Sequence, residues 1–214
     1  MDQDTEIINA NARNEKIKNF LIKNKKKIVI FFSSAILIFF GYFLYEEFKE
    51  KNKVKIANNY NIVVAKFNSG QKNNTEKELI NIVNKKDRTY SPLALYFLID
   101  NDILSDKVKI NELFDIIINE TSLEKEIKFL VIYKKALFNS DIESENNLIK
   151  IINPLIKSDS IWKSHGLYLM AEYFYSKNEK QKSKEFYDQI INLENGNTKI
   201  KLEAHKRLNR DFSE

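Results

Sequence analysis

Residues 28–45 read IVIFFSSAILIFFGYFLY, and this stretch decides how the rest of the chain is interpreted. It contains no charged residue and no proline, and its 18 residues would measure about 27 Å as a helix, close to the roughly 30 Å hydrocarbon core of a bilayer. A core helix of a soluble protein would show a polar face, and residues 45–48, YEEF, lack the small-residue pattern of a signal-peptide cleavage site. We therefore predict a retained transmembrane helix over residues 28–45, rather than a buried core helix or a cleaved signal peptide.

Basic residues flank this span unequally. Seven Lys or Arg residues precede the span and four lie within about 15 residues after it. Because cytoplasmic flanks carry the excess of Lys and Arg, we expect residues 1–27 to form a basic cytoplasmic tail. The rest of the chain then lies outside the cytoplasm, which predicts a single-pass protein of a bacterial inner membrane with a periplasmic domain.

The composition predicts an all-α protein that does not bind nucleic acid. The chain has four Gly and two Pro, too few for the turns of a sheet protein of 214 residues. The net charge is +5, of which residues 1–27 contribute +3, with seven basic and four acidic residues. The remaining +2 is too little for a nucleic-acid-binding surface. The absence of Cys excludes disulfides and thiolate metal sites.

Apolar residues continue at helical spacing beyond the span, and Asn68-Ser69-Gly70 is the first strong stop. We predict a membrane-proximal helix and linker over 46–73 and a helical domain over 74–214. Capping boxes predict helix starts at Thr75 and Thr121, and Ser91 before a proline predicts a third. Pro154 is expected to end or kink a helix near Asn153. Polar breaks are predicted over residues 101–107, 139–144 and 177–180, and a closing helix over residues 198–209.

The breaks recur at nearly regular intervals. Ser105, Ser140 and Asn178 are separated by 35 and 38 residues, close to the 34-residue period of a tetratricopeptide repeat. Apolar residues of the last unit fall where the repeat requires them, and small residues at Ala171 and Ser183 would let its two helices approach closely. The earlier units, 96–117 and 129–152, keep only the apolar spacing. The predicted fold is a tetratricopeptide-like array of antiparallel helix pairs, an α-solenoid.

Function is expected to reside in surfaces rather than in a catalytic centre. The two His residues, His165 and His205, lack acidic partners at metal-ligand spacing, and no glycine-rich phosphate loop is present. We therefore predict no catalytic residue, cofactor, metal or small-molecule substrate. In such an array the first helix of each pair lines the concave face. This predicts partner binding by His165, Tyr168, Glu172 and Tyr175 in the last unit and by Ile127, Leu130, Lys134 and Leu137 in the middle unit. Alternatively, these residues pack in a core or contact the membrane-proximal helix.

The anchor and the repeats together resemble the YfgM-type ancillary subunits of the SecYEG translocon. The resemblance covers nearly the whole chain and is carried by the segments FLIKNKKKIVIFF, YEEF, YSPLALYFLID and IWKSHGLYLMAEYFYSKNEKQKSKEFYDQII. It implies a protein beside the Sec translocon that associates with a membrane-anchored periplasmic chaperone and assists exported polypeptides. An envelope adaptor in cell division or outer-membrane assembly is the alternative function, and a membrane enzyme is a third.

Overall fold

The structure is a computed structural model that describes residues 13–16 and 18–212. It is 78% helix, with no strand in the described part of the chain. Residues 1–12 and 17 of the predicted tail lie outside the described residues. After a helical stretch over residues 18–23, the helices are α1 (Lys25–Asn68), α2 (Thr75–Asn84), α3 (Tyr90–Asp100), α4 (Lys107–Glu120), α5 (Lys125–Asn139), α6 (Glu145–Ile156), α7 (Lys163–Ser176), α8 (Lys180–Ile191) and α9 (Thr198–Asp211).

Helix α1 contains the predicted span. It is 44 residues long, and among the described residues it alone is long and apolar enough to cross a membrane. None of its apolar window is buried by other parts of the chain. The helix ends at the predicted stop, where Gly70 adopts a φ of 88°, a conformation that favours glycine. The sequence therefore predicted both the apolar segment and its continuation to Asn68 correctly.

The chain divides into two compact units, one ending at Lys55 and one beginning at Ile56. The second unit includes the last turns of α1, whose aromatic side chains pack on α3. The ring centroids of Tyr60 and Tyr90 are 5.7 Å apart, and those of Phe67 and Phe97 are 5.3 Å apart. The packed helical unit thus begins before residue 74, within the segment predicted to be a membrane-proximal helix and linker.

The core of this second unit runs from helix to helix as three apolar clusters. The first joins the end of α1 to α2, α3, α4 and Val131 of α5, the second joins α5, α6 and α7, and the third joins α7, α8 and α9. From α2 onward, each helix packs on its sequence neighbours, and α2 with α4, α5 with α7 and α7 with α9 are also in contact. Contacts between helices two apart in the chain therefore join even-numbered helices up to α4 and odd-numbered helices from α5 onward.

Side-chain contacts in the C-terminal part recur at a nearly constant sequence separation. Ser160 donates a hydrogen bond to Glu126, 34 residues earlier, and Lys125 and Asp159 form an ion pair with the same separation. Between α7 and α9, Ser164 accepts a hydrogen bond from the backbone of Asn197, 33 residues later. The N-terminal part contains this spacing and a shorter one, since Lys86 forms an ion pair with Glu120, 34 residues away, and Asn111 pairs with Asn139, 28 residues away.

This asparagine pair joins α4 to α5. The Asn111 amide donates to Asn139 at 3.0 Å, and the Asn139 amide donates back at 2.8 Å. Asn139 is fully buried, so the reciprocal pair satisfies amide groups that water does not reach. Beside it, Lys135 forms an ion pair with Asp115 at 2.7 Å. Polar contacts thus join α4 to α5, where the contacts between helices two apart change from even-numbered to odd-numbered helices.

Small buried serines connect consecutive helices at both ends of the unit. The Ser183 hydroxyl on α8 donates to the Ala171 carbonyl of α7 at 2.8 Å, and the Ser91 hydroxyl on α3 donates to the Ile82 carbonyl of α2 at 3.0 Å. Both serines are fully buried. The close approach of α7 and α8 at these small residues agrees with the sequence prediction.

One of the three predicted helix starts agrees with the structure and two do not. Asp87 accepts the Thr89 and Tyr90 N–H groups, so α3 begins before Ser91, whose hydroxyl bonds to α2 instead. Helix α2 begins at Thr75, as predicted, although without a side-chain cap. Thr121 instead follows α4, and α5 begins four residues later.

Helix α6 does not end at Asn153. It continues through Pro154 to Ile156. A proline in the last turn removes one backbone donor, and the Lys157 N–H still closes the turn on the Asn153 carbonyl at 3.1 Å.

Candidate functional site

The predicted residues of α5 line a groove with α3. Ile127 and Leu130 face Pro92, Leu93 and Tyr96 across a space of about 380 Å³. Leu93 and Ile127 each remain 40% exposed, which is high for large apolar side chains beside a core. The groove therefore presents apolar surface that the described side chains leave accessible.

Tyr96 contributes an unpaired polar group to this groove. Its Oη atom is shielded from solvent and makes no hydrogen bond in the described part of the protein. Burial, with a smaller contribution from Asp100, raises the pKa of Tyr96, so the hydroxyl keeps its proton at neutral pH. Lys134, another predicted residue of α5, places its Nζ atom 5.5 Å from the centroid of the Tyr96 ring.

Two charged residues border the same groove. Arg88 and Glu124 lie just before α3 and α5, and both are exposed. Within the described residues, neither forms an ion pair. The groove can therefore offer an approaching peptide one cation, one anion and an apolar wall. Leu137, the last predicted residue of α5, is exposed but does not line this space.

The predicted residues of α7 have different surroundings. Glu172 accepts two hydrogen bonds from the Arg207 guanidinium of α9, both at 2.7 Å, and a further hydrogen bond from the Tyr187 hydroxyl. The Arg207 guanidinium also lies 4.5 Å from the centroid of the Tyr175 ring. Glu172 and Tyr175 are therefore engaged by the closing helix.

Tyr168 belongs to the same packed region. Its ring contacts that of Tyr187 at 5.7 Å. Burial and the nearby Glu172 carboxylate raise the pKa of Tyr168 to about 12. For Tyr168, Glu172 and Tyr175, the structure shows the packing that the sequence analysis gave as the alternative to an open concave face.

His165 lies where α5 and α7 meet. Its ring is 5.0 Å from that of Trp162 and 5.8 Å from that of Tyr133. The Nδ1 atom is shielded and has no hydrogen-bond partner in the described residues. Burial lowers the pKa of His165, because a charged imidazolium would lose hydration there. Among the described residues, no group of three or more His, Asp or Glu side chains could hold a metal ion.

Sequence reasoning missed the α3 side of the groove. Thr89, Pro92 and Tyr96 lie 38 residues before Ile127, Leu130 and Lys134. That spacing was available in the sequence, but the polar breaks suggested 35 residues between the first two units. Helices α3 and α5 begin 35 residues apart, as the breaks do, so the side chains that face each other across the groove are displaced by three residues from that spacing.

Comparison with known proteins adds no relative. No protein-family model, curated protein or solved structure matches the chain.

Proposed function

We propose that this protein is a non-enzymatic, membrane-anchored scaffold for protein interactions, and that it is an accessory factor of the Sec translocon. In this role it assists exported polypeptides together with a membrane-anchored periplasmic chaperone. Its span crosses the bacterial inner membrane with the N-terminus in the cytoplasm, and its helical unit is periplasmic. The resemblance of the sequence to YfgM-type subunits supplies the identity of the partners.

The observation that carries the proposal is the groove between α3 and α5, in a chain that also contains a candidate membrane span. Extended peptides bind such grooves by burying apolar side chains and by pairing their backbone with fixed polar groups. Leu93 and Ile127 provide the apolar contact, and the exposed Arg88 and Glu124 provide polar groups at the border of the groove.

A tetratricopeptide-like array is the proposed framework for this groove. The side-chain contacts at separations of 33 and 34 residues support it in the C-terminal part, as do the contacts of α5 with α7 and of α7 with α9. In the N-terminal part, the Lys86–Glu120 ion pair has the same 34-residue separation, and the Asn111–Asn139 pair has a shorter one.

Site-specific photo-crosslinking tests the proposal in membranes. A photoreactive amino acid at Leu93 or Ile127 should form adducts with a translocon subunit, an exported polypeptide or a periplasmic chaperone. Val108, an exposed apolar residue that does not line the groove, is the matched control position. Adducts no stronger than those from Val108 would contradict the groove proposal, and adducts with division or outer-membrane assembly proteins would favour the alternative function.

A substitution tests whether the groove holds the partner. Ile127→Asp should lower recovery of the cross-linked partner by about tenfold, because a central apolar contact is replaced by a charge. Val108→Asp introduces the same charge outside the groove and should leave recovery unchanged. Equal recovery from both variants would contradict the assignment.

A further inference from the structure

An exposed apolar triplet precedes the predicted span. Phe20, Leu21 and Ile22 lie in the helical stretch of residues 18–23 and are 62%, 49% and 65% exposed. They are separated from the uncharged segment by four lysines, Lys23, Lys25, Lys26 and Lys27. Three neighbouring large apolar side chains in water would be unfavourable, so their surroundings need an explanation.

The helical stretch ends before α1 begins. Asn24 forms a turn between them, and both its backbone N–H and its side-chain amide donate to the Phe20 carbonyl at 3.0 Å. These bonds satisfy a carbonyl at the end of the stretch. A single turn residue, Asn24, therefore separates the triplet from the helix that contains the span.

Distance along the helix decides where the triplet would lie. Ile22 is six residues before the span, or about 9 Å at helical rise, whereas each headgroup layer is only about 5–8 Å thick. An upright helix would therefore carry the triplet through the headgroups into water. A stretch lying in the plane of the membrane would instead keep it at the boundary between headgroups and acyl chains.

Charge identifies the surface that the stretch would meet. Residues 13–27 contain seven Lys or Arg residues and one acidic residue, Glu15. Within the described residues, none of the four lysines beside the triplet forms an ion pair. Unpaired lysines beside a bilayer complement the phosphates of anionic phospholipids.

We propose that residues 18–27 form an interfacial binding site for anionic phospholipid headgroups. Phe20, Leu21 and Ile22 insert at the acyl boundary, and Lys23, Lys25, Lys26 and Lys27 contact the headgroup phosphates. The proposal rests on the membrane span of the proposed function. It goes beyond that function because it specifies that this stretch binds negatively charged lipids in the leaflet next to the basic tail.

A fluorescent probe on an introduced cysteine tests this site. The chain contains no Cys, so Leu21→Cys, Leu37→Cys and Lys184→Cys each provide a single labelling site in the full-length protein. Leu37 reports on the span, and Lys184 is an exposed position on α8. The labelled proteins are reconstituted in vesicles of phosphatidylcholine, with or without phosphatidylglycerol, and quenching by brominated phospholipid is compared with quenching by aqueous acrylamide.

The expected pattern separates the site from the span. The Leu37 probe should be quenched by brominated lipid in both vesicles, and the Lys184 probe in neither. The Leu21 probe should be quenched by lipid in vesicles with phosphatidylglycerol, and high salt should reduce this quenching. Replacing Lys25 and Lys26 by Gln should lower the ratio of docked to undocked stretch by about 30-fold, given the attraction of each lysine to an anionic surface.

Two results would overturn the inference while leaving the span intact. One is a Leu21 probe that stays in water although the Leu37 probe is in lipid. The other is a Leu21 probe in lipid to the same extent with and without phosphatidylglycerol, which would leave no role for the anionic headgroup. A Leu37 probe in water would instead contradict the proposed membrane anchoring itself.

Discussion

Helices α5 and α7 were assigned the same role from the sequence, yet their predicted binding residues have different neighbours. Ile127 and Leu130 of α5 face a groove whose opposite wall is α3. The corresponding His165 and Tyr168 of α7 contact aromatic rings, and Glu172 holds Arg207 of α9. The equivalent position in α5, Lys134, contacts only the face of the Tyr96 ring. The difference shows that the position within a repeat predicts the helix face on which a residue lies. Whether that face is exposed depends on how a neighbouring helix packs against it.

Removing α9 should have the largest effect on this difference, because α9 contacts the predicted binding residues of α7. A chain ending at Asn197 loses the buried Ala204 and the partly buried Ile200, Leu208 and Phe212. We expect the free energy of unfolding to fall by about 4 kcal/mol, because burying each large apolar side chain contributes roughly 1.5–3 kcal/mol. Urea denaturation followed by circular dichroism measures this loss. Leu202→Ala, at an exposed position of the same helix, should change stability little, and a truncated chain of normal stability would show that α9 does not cover α7.

A pair of equivalent substitutions sharpens the comparison. Glu172→Ala removes the partner of an Arg207 side chain that is only 11% exposed, and should cost about 2 kcal/mol. The cost is below that of a fully buried pair because Glu172 is 37% exposed and Arg207 retains Asp211. Lys134→Ala, at the equivalent position of α5, should cost less than about 0.5 kcal/mol. Denaturant unfolding of both variants checks the prediction, and equal costs would mean that the two faces are not differently covered.

The free energy of unfolding should depend weakly on pH through His165, which lies where α5 and α7 meet. Burial lowers the pKa of His165, so between that value and the unfolded pKa of about 6.5 the unfolded chain binds more protons than the folded chain. The stability that the neutral His165 contributes is therefore fully present above about pH 6.5 and is lost as the pH falls below that value. The loss should be less than about 1 kcal/mol because the imidazole is only partly buried.

Trp162 is the single tryptophan of the chain and lies beside His165, so its fluorescence can follow unfolding at pH 7 and pH 5. Since carboxylates also titrate in this range, the difference between variants is the relevant quantity. His165→Gln should reduce the loss of stability, whereas His205→Gln, at an exposed position, should retain it. An unchanged pH dependence in His165→Gln would contradict the assignment to this imidazole.

The helices were more predictable than their caps. The apolar period and the scarcity of Gly and Pro predicted the helical class and the end of α1 at Asn68, because both depend on local sequence. The caps at Ser91 and Thr121 were predicted wrongly. Ser91 bonds to a neighbouring helix, and this use of its hydroxyl depends on packing that the local motif does not contain.

The candidate site was predictable in part. Helical spacing placed Ile127, Leu130 and Lys134 on one face of α5, and the structure brings all three to the α3 side. The cover over Glu172 and Tyr175 comes from Arg207, which lies 35 residues after Glu172. Such a contact requires the relative placement of α7 and α9, and the sequence pattern of either helix alone does not define it.

The reciprocal amide pair between α4 and α5 has a consequence for how this protein can change over generations. Replacing either Asn111 or Asn139 alone leaves the other amide without its partner, so each single substitution should be harmful. Replacing both with apolar residues of similar shape removes both polar groups together, and the harm of the first change largely disappears. Mutational routes through this pair are therefore narrow, and the two positions should be inherited as a linked pair.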